Sequence, residues 1–331
     1  MENADAPILA PSRVVEIVDR TFRIYRNNFL AFAGLVALVI LPLSLLATAI
    51  ASDPVTFEEG DTWEDYSSEV RQQALTAGSI SLLEQFLLAV VVSAAITVIA
   101  SESLLGRKVA LGKAFGQVRG RLLPLIGALI LIGIVFIVLF IVLFMLTALC
   151  GLAAILFPIL LYYGLALYFF LVPVMVLERT GPGLGVSRAQ YLARARFWPT
   201  LGFAFVIWLV MAIIQSAVGS ASWLVGATAL EGASTLRTAI SLAITVFVTP
   251  IMPIGLTLMY YDARIRVEGL DFALQAVDSL QPCPADVESP VPAVRLITGR
   301  DVINTIALTA GFFALGCALY LVLVVIFSMA G

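Results

Sequence analysis

The sequence predicts an all-α, polytopic membrane protein of about seven transmembrane helices, with amphipathic helices at the cytoplasmic interface. Three observations carry this expectation. Of 331 residues, 61% are hydrophobic and 12% charged, with a mean hydropathy of +1.05, whereas soluble domains carry about 25% charged residues. The apolar runs exceed the roughly 20 residues that a helix needs to cross about 30 Å of hydrocarbon. Basic residues are confined to alternate connections, the pattern of the positive-inside rule.

In chain order the runs are Phe29 to Ala51, Ile80 to Ala100, Leu122 to Ala148, Leu152 to Leu177, Pro199 to Ser220, Ala239 to Tyr261 and Val302 to Met329. The third and fourth form one stretch that must fold back near Thr147 to Gly151, because a single straight helix would outreach the bilayer. Helices are expected rather than barrel strands, since lipid offers the backbone no other partner and period-2 alternation is absent. Pro42, Pro158, Pro173, Pro250 and Pro253 fall inside the runs. They would kink packed helices, and kinked helices can also frame a cavity.

Seventeen of the nineteen Lys and Arg residues lie in segments 1–28, 101–121, 178–198 and 262–301, leaving Arg71 and Arg237 in the alternate loops. This places the N-terminus and the basic loops in the cytoplasm, with the acidic stretch SDPVTFEEGDTWEDYSSEV and the C-terminus outside. A multi-pass protein of a prokaryotic cytoplasmic membrane is expected. The first 28 residues are charged throughout, so no cleavable signal peptide is predicted and the first span serves as its own anchor. The net charge of −3 averages a basic inner face with an acidic outer one, and no nucleic-acid signature is present.

A repeat organises the inner face. Without gaps, 106–127 aligns on 181–202 with six identical columns of twenty-two, pairing Lys113 with Arg188, Arg119 with Arg194, Arg121 with Arg196, Pro124 with Pro199 and Gly127 with Gly202. A fainter copy sets Arg20 on Lys113 and Arg26 on Arg119. Apolar positions recur as Val18, Thr21, Tyr25, Phe29; Leu111, Ala114, Val118, Leu122; and Val186, Ala189, Ala193, Phe197. That spacing is one face of a helix. Each unit therefore reads as an interfacial helix, a span out and a span back, in three parallel copies (about 12–100, 106–178 and 181–275) within a membrane domain of residues 1–278. A Pro-rich cytoplasmic linker, 279–301, leads to the extra C-terminal span, 302–329.

Candidate chemistry is sparse. The chain has no histidine, its three cysteines Cys150, Cys283 and Cys317 form no evident pair, and no phosphate-binding Gly-rich loop precedes a helix. No metal, cofactor or catalytic residue is predicted. Glu84 lies near the outer end of the second span and either caps it and reaches water or contacts an ion or substrate. Gln215, in the fifth span, reads as an interhelical hydrogen bond or a selectivity residue. Arg20, Arg26, Lys113, Arg119, Arg121, Arg188, Arg194, Arg196 and Trp198 form a basic, aromatic rim. That rim either sets topology and anchors anionic headgroups generally or builds a dedicated headgroup site. After the sixth span, YYDARIRVEGLDF sets Asp262 four residues before Arg266 and Arg264 four before Glu268, with Gly269 ending the helix, beside Tyr261. These pairs are expected to act as a local lock.

YYDARIRVEGLDF, PVMVLERTGPGLGVSRAQYLARARFWPTLG and SRVVEIVDRTFRIYRNNFLAF, in their places along residues 10 to 275, resemble the membrane-domain family of the glycerophosphoryl diester phosphodiesterases. In such enzymes the membrane half is fused to a soluble barrel that catalyses with histidines and metal-binding carboxylates. The resemblance therefore implies a stand-alone relative of the membrane half, with no catalytic residue to carry over.

The function expected is non-enzymatic. The protein would organise or anchor partners at the cytoplasmic membrane, touching anionic lipids through its basic rim and engaging other membrane proteins or copies of itself. The alternative is a transporter or channel for a small solute or lipid, with a polar cavity between the repeats near Glu84 and Gln215. An intramembrane enzyme would need Glu84 to converge with Glu102 or Glu178 across opposite ends of the spans.

Overall fold

Apolar runs this long leave the backbone no choice but helix in hydrocarbon, and every regular element described is helical. The structure, a computed structural model, describes residues 10–51, 63–107, 111–150, 156–227, 233–277, 282–290 and 298–330. Among the described residues, six helices are long and apolar enough to cross a membrane. The expected seventh span falls on α11 (Gly299–Ala330), where the side chains after Leu321 lie outside the description.

Helix α1 (Val14–Asn27) is separate and amphipathic, and it buries Ile17, Thr21 and Ile24. The expected face centred on Val18 and Tyr25 is thus rotated by about one residue. Ile17 enters the core while Val18 and Tyr25 pack at its margin. At Asn28 the chain turns into α2 (Phe29–Ala51), which matches the expected first span. The Asn28 amide donates to Ile24 O (3.1 Å) and Ser103 Oγ (3.2 Å), satisfying the broken helix end.

The second span starts earlier than its apolar run. Helix α3 (Trp63–Leu87) continues through a π-helical turn, Leu88–Val92, into α4 (Ser93–Leu104). Residues 63–79, expected within the acidic loop, are therefore helical, which their run of Glu, Gln, Ala and Leu without proline allows. Residues 52–62 of that loop lie outside the described residues.

Neither of the interfacial helices expected near 106–121 and 181–198 is separate from the apolar run that follows it. Helix α5 (Leu111–Cys150) runs 40 residues through Pro124, about 60 Å at 1.5 Å per residue and twice the hydrocarbon thickness. After α6 (Phe157–Leu177) comes α7 (Pro182–Ala227), broken only at Arg196 (φ −129°, ψ 25°). Pro199 causes the break, since it has no N–H and clashes with the preceding turn. Of the apolar face predicted there, Ala189, Ala193 and Phe197 are buried and Val186 packs at the core's margin; in α5 Val118 is buried and Leu122 lies at the margin, while the Leu111 and Ala114 side chains lie outside the described residues.

The expected sixth span divides. Helix α8 (Ala233–Val248) ends at a Thr249–Pro250 turn and α9 (Ile251–Glu268) begins. Helix α9 is the centre of the fold: its residues from Ile254 to Ile265 are all buried, against α1, α4, α6 and α7. Thr257 Oγ1 donates to Thr97 Oγ1 (3.3 Å) and the Ser101 and Tyr261 hydroxyls meet at 2.7 Å, so α4 and α9 run parallel and in register. Gly269 adopts the left-handed conformation (φ 65°, ψ 39°) that glycine tolerates best, ending α9 as predicted and starting α10 (Leu270–Ala276).

Close approach of α7 to α9 requires a second glycine. A Cβ on Gly255 would lie 1.9 Å from Cζ of Phe203, itself fully buried. Gly255→Ala is expected to destabilise the fold by about 1–3 kcal/mol through overpacking, measured as a lowered unfolding temperature in detergent. Phe203→Leu should recover part of the loss, and an unchanged unfolding temperature in Gly255→Ala would contradict this packing.

Candidate functional site

Charged side chains that leave water must find partners or lose several kcal/mol each, and one end of the bundle is built around that requirement. The last turn of α6, the first turns of α7 and the end of α9 bring together Glu178, Arg188, Arg264 and Glu268, each side chain no more than 5% exposed. Arg188 grips Glu178 with both forks, Nε to Oε2 at 2.9 Å and Nη2 to Oε1 at 3.0 Å. Its Nη1 also donates to Glu268 Oε1, and Nη2 donates to Glu268 Oε2 at 3.0 Å. Arg264 Nε donates to Glu268 (2.8 Å) and its Nη1 to the Tyr260 hydroxyl (3.2 Å), which donates to Glu178 (3.0 Å). Two guanidinium groups thus balance two carboxylates.

The linker closes this cluster. Its described part, 282–290, contains a 3₁₀ turn, Pro284–Asp286, and is strapped to the helix ends. Arg107 donates to Pro282 O (3.0 Å), Arg264 to Pro284 O and Ser289 Oγ (3.3 Å each), and Arg188 to Pro290 O (3.3 Å). What reads from sequence as a free connection is therefore docked over this stretch. Residues 279–281 and 291–297 lie outside the described residues.

Two further carboxylates serve neighbouring joints. Asp262 accepts from the Ser12 amide (3.0 Å), from Arg266 Nε (2.9 Å) and from Arg196 Nη2 (2.8 Å), pinning the chain before α1 to α7 and α9. Asp301, at the start of α11, accepts from Tyr162 (2.8 Å), the Thr298 amide (2.8 Å) and Arg194 Nε (2.9 Å). One turn on, Asn304 accepts from Trp198 Nε1 (2.9 Å). Burial pushes the Asp301 carboxyl up, but the hydrogen bonds from Tyr162, Thr298 and Arg194 outweigh it and hold the group below the ordinary aspartate range.

These contacts redistribute the predicted rim. Arg188, Arg194 and Arg196 were expected at lipid headgroups; instead their guanidinium groups meet the carboxylates of Glu178 and Glu268, Asp301 and Asp262. Burial is the reason, Arg188 being 2% exposed. Trp198 keeps an exposed ring but spends its N–H on α11. Arg26 and Arg119 are exposed and Arg20 is half-buried, while Arg121 donates to Arg179 O (3.4 Å). The Lys113 side chain lies outside the description. Both expected pairs on α9 form, Asp262 with Arg266 and Arg264 with Glu268. The second is buried, while the first joins a buried Asp262 to an exposed Arg266.

The intramembrane candidates do not converge. Glu84 is half-buried between α2 and α3, where the Ser44 hydroxyl donates to it at 3.4 Å, and Gln215 is exposed on α7. Neither lines the large cavity described, an apolar groove of about 740 Å³ between α5 and α6. Asp301, Tyr162 and Asn304 had not been singled out by the sequence. Their signal, two acceptors on one face at the start of the last span, is meaningful only once α7 is known to lie beside it.

No protein-family model matches the chain, and no curated protein or solved structure is detectably similar to it.

Removing one partner of the main cluster leaves a buried charge uncompensated, so Arg188→Met is expected to cost about 3–5 kcal/mol, read as loss of folded protein in detergent. Arg266→Met, whose side chain is 35% exposed, should cost far less. For Asp301 the lowered native value means that its stabilisation is complete above the unfolded-state value and is lost as pH falls through the native one. Acidification below the ordinary aspartate range should release α11 from α7. The readout is the fluorescence of Trp198 with Trp63, Trp208 and Trp223 replaced by Phe, and Asp301→Asn should abolish the pH dependence.

Proposed function

We propose that this chain is a non-enzymatic multi-pass protein that presents a rigid helical platform at the cytoplasmic face of a membrane, on which partners are organised. One observation carries the reading: the buried carboxylates Glu178, Asp262, Glu268 and Asp301 each accept from a guanidinium group of α7. Charges so arranged are spent on holding α6, α7, α9, α11 and the 282–290 strap together. A carboxylate whose oxygens already accept from arginine is a poor general base, because its lone pairs are occupied.

The distribution of basic loops supports an inward-facing platform, and the parallel, in-register course of α4 and α9 supports an origin from parallel hairpin repeats. The resemblance to the membrane half of the phosphodiesterases is compatible with a platform whose catalytic partner is another chain. Against a solute conduit stands the separation of Glu84 from Gln215, since a polar path needs its side chains on one lumen.

Leu184 and Phe272, 50% and 74% exposed near the charged cluster, are the natural reporters. A photo-crosslinking residue at either position in intact membranes is expected to yield discrete protein adducts. Lipid adducts alone, together with solute flux in proteoliposomes of the purified chain, would overturn the proposal.

A further inference from the structure

Glu178, Arg188, Arg264 and Glu268 balance among themselves, two guanidinium groups against two carboxylates, before the 282–290 strap is counted. What the strap offers them is neutral: Pro282 O to Arg107 (3.0 Å), and Pro284 O and Ser289 Oγ to Arg264 and Pro290 O to Arg188 (3.3 Å each). Lifting it strands no ion. Arg107 keeps Glu102 (3.3 Å), Arg188 keeps Glu178 (2.9 Å) and Arg264 keeps Glu268 (2.8 Å). Only a few N–H groups exchange a carbonyl or hydroxyl for water, which costs little beside the stranding of a buried charge. The strap is therefore the detachable part of this end of the molecule, and the helices beneath it are not.

It is also held in the manner of a bound peptide. The backbone is extended at Cys283 (φ −132°, ψ 162°) and at Val287 (φ −96°, ψ 127°), on either side of the Pro284–Asp286 turn. Two side chains anchor it: Pro284 is buried and Val287 packs against the core. Asp286, Glu288 and Pro290 are exposed, and the Asp286 carboxylate turns back on the strap's own Cys283 amide (2.9 Å). Three of the four contacts to arginine are made by backbone carbonyls, which every residue carries. The surface formed by Arg107, Arg188 and Arg264 thus reads the course of a chain rather than its side chains, as grooves for linear segments do. Proline at each of those carbonyls fixes φ and reduces the freedom lost on docking.

We propose that this surface is a docking site for a proline-containing linear segment of a partner protein, and that the strap is its occupant in cis, which the partner displaces. The inference deepens the platform reading and rests on it, since it names where a partner engages.

Fluorescence anisotropy on the full chain in nanodiscs tests the site, with a labelled peptide of residues 281–291 carrying Cys283→Ser as the probe. A chain whose residues 282–290 are replaced by a Gly/Ser stretch of equal length is expected to bind it. The wild-type chain should bind at least about ten-fold more weakly, because its own strap competes as a tethered ligand at high effective concentration. In the replaced chain Arg107→Gln should weaken binding about three-fold or more, and a peptide with Pro284→Asp and Val287→Asp should lose about ten-fold or more. A peptide that keeps the prolines, Asp286 and Val287 with alanine elsewhere should bind within about three-fold of the probe, since carbonyls carry the recognition. If the replaced chain fails to fold, Pro284→Ser with Val287→Ser in the full chain loosens the strap and takes its place. No binding to either altered chain, or wild-type binding as tight as theirs, would overturn the proposal. So would binding of the probe without the alanine peptide, which reserves the site for this chain's own strap. No native partner enters the measurement, so its failure is distinct from a failure of the crosslinking that tests the platform.

Discussion

Everything at the basic end of this molecule depends on the mutual neutralisation of Glu178, Arg188, Arg264 and Glu268 away from water. Their side chains come from the end of α6, the start of α7 and the last two turns of α9, so the cluster exists only when all three helices are in place. Such groups add little net stability compared with a well-packed apolar core, but a missing partner is strongly unfavourable. The arrangement therefore specifies geometry: a slipped register in any one helix leaves a charge stranded.

From this constraint the rest of the architecture follows. Helix α9 must be central, because it supplies Arg264 and Glu268 on one side and Asp262 and Arg266 on another. Its burial from Ile254 to Ile265 in turn demands close neighbours, which Gly255 admits on the side of Phe203, and the small residues Ala94, Ala95 and Ala100 make α4 equally slender. Around this centre the outer faces of α2, α5, α7 and α8 expose large apolar side chains such as Leu38, Ile137, Trp208 and Phe247. The molecule thus has two kinds of surface. A charged end with its charges largely spent internally adjoins an apolar belt that only lipid or another membrane protein can cover.

The strap at 282–290 shows how the two are joined. Its backbone carbonyls, rather than its acidic side chains, take the remaining donors of Arg107, Arg188 and Arg264. The carbonyls are those of Pro282, Pro284 and Pro290, in a segment whose only helical turn is the short Pro284–Asp286. The strap ties the end of the central helix to the chain that leads on to α11, whose own start is secured by Asp301.

By itself the sequence determined what local chemistry determines. Hydropathy and run length dictated apolar helices, Pro250 marked where α8 ends, the spacing of Asp262, Arg264, Arg266 and Glu268 dictated the two pairs on α9, and Gly269 dictated its end. Periodicity also marked Ala189, Ala193 and Phe197 as a buried face. Tertiary structure alone decided what the arginines outside α9 meet. A positive charge beside a span reads the same in sequence whether its partner is a lipid phosphate or a carboxylate eighty residues away, and Arg188 finds the latter in Glu268. The groove between α5 and α6 was equally invisible, since concavity belongs to the angle between two helices and not to the residues of either.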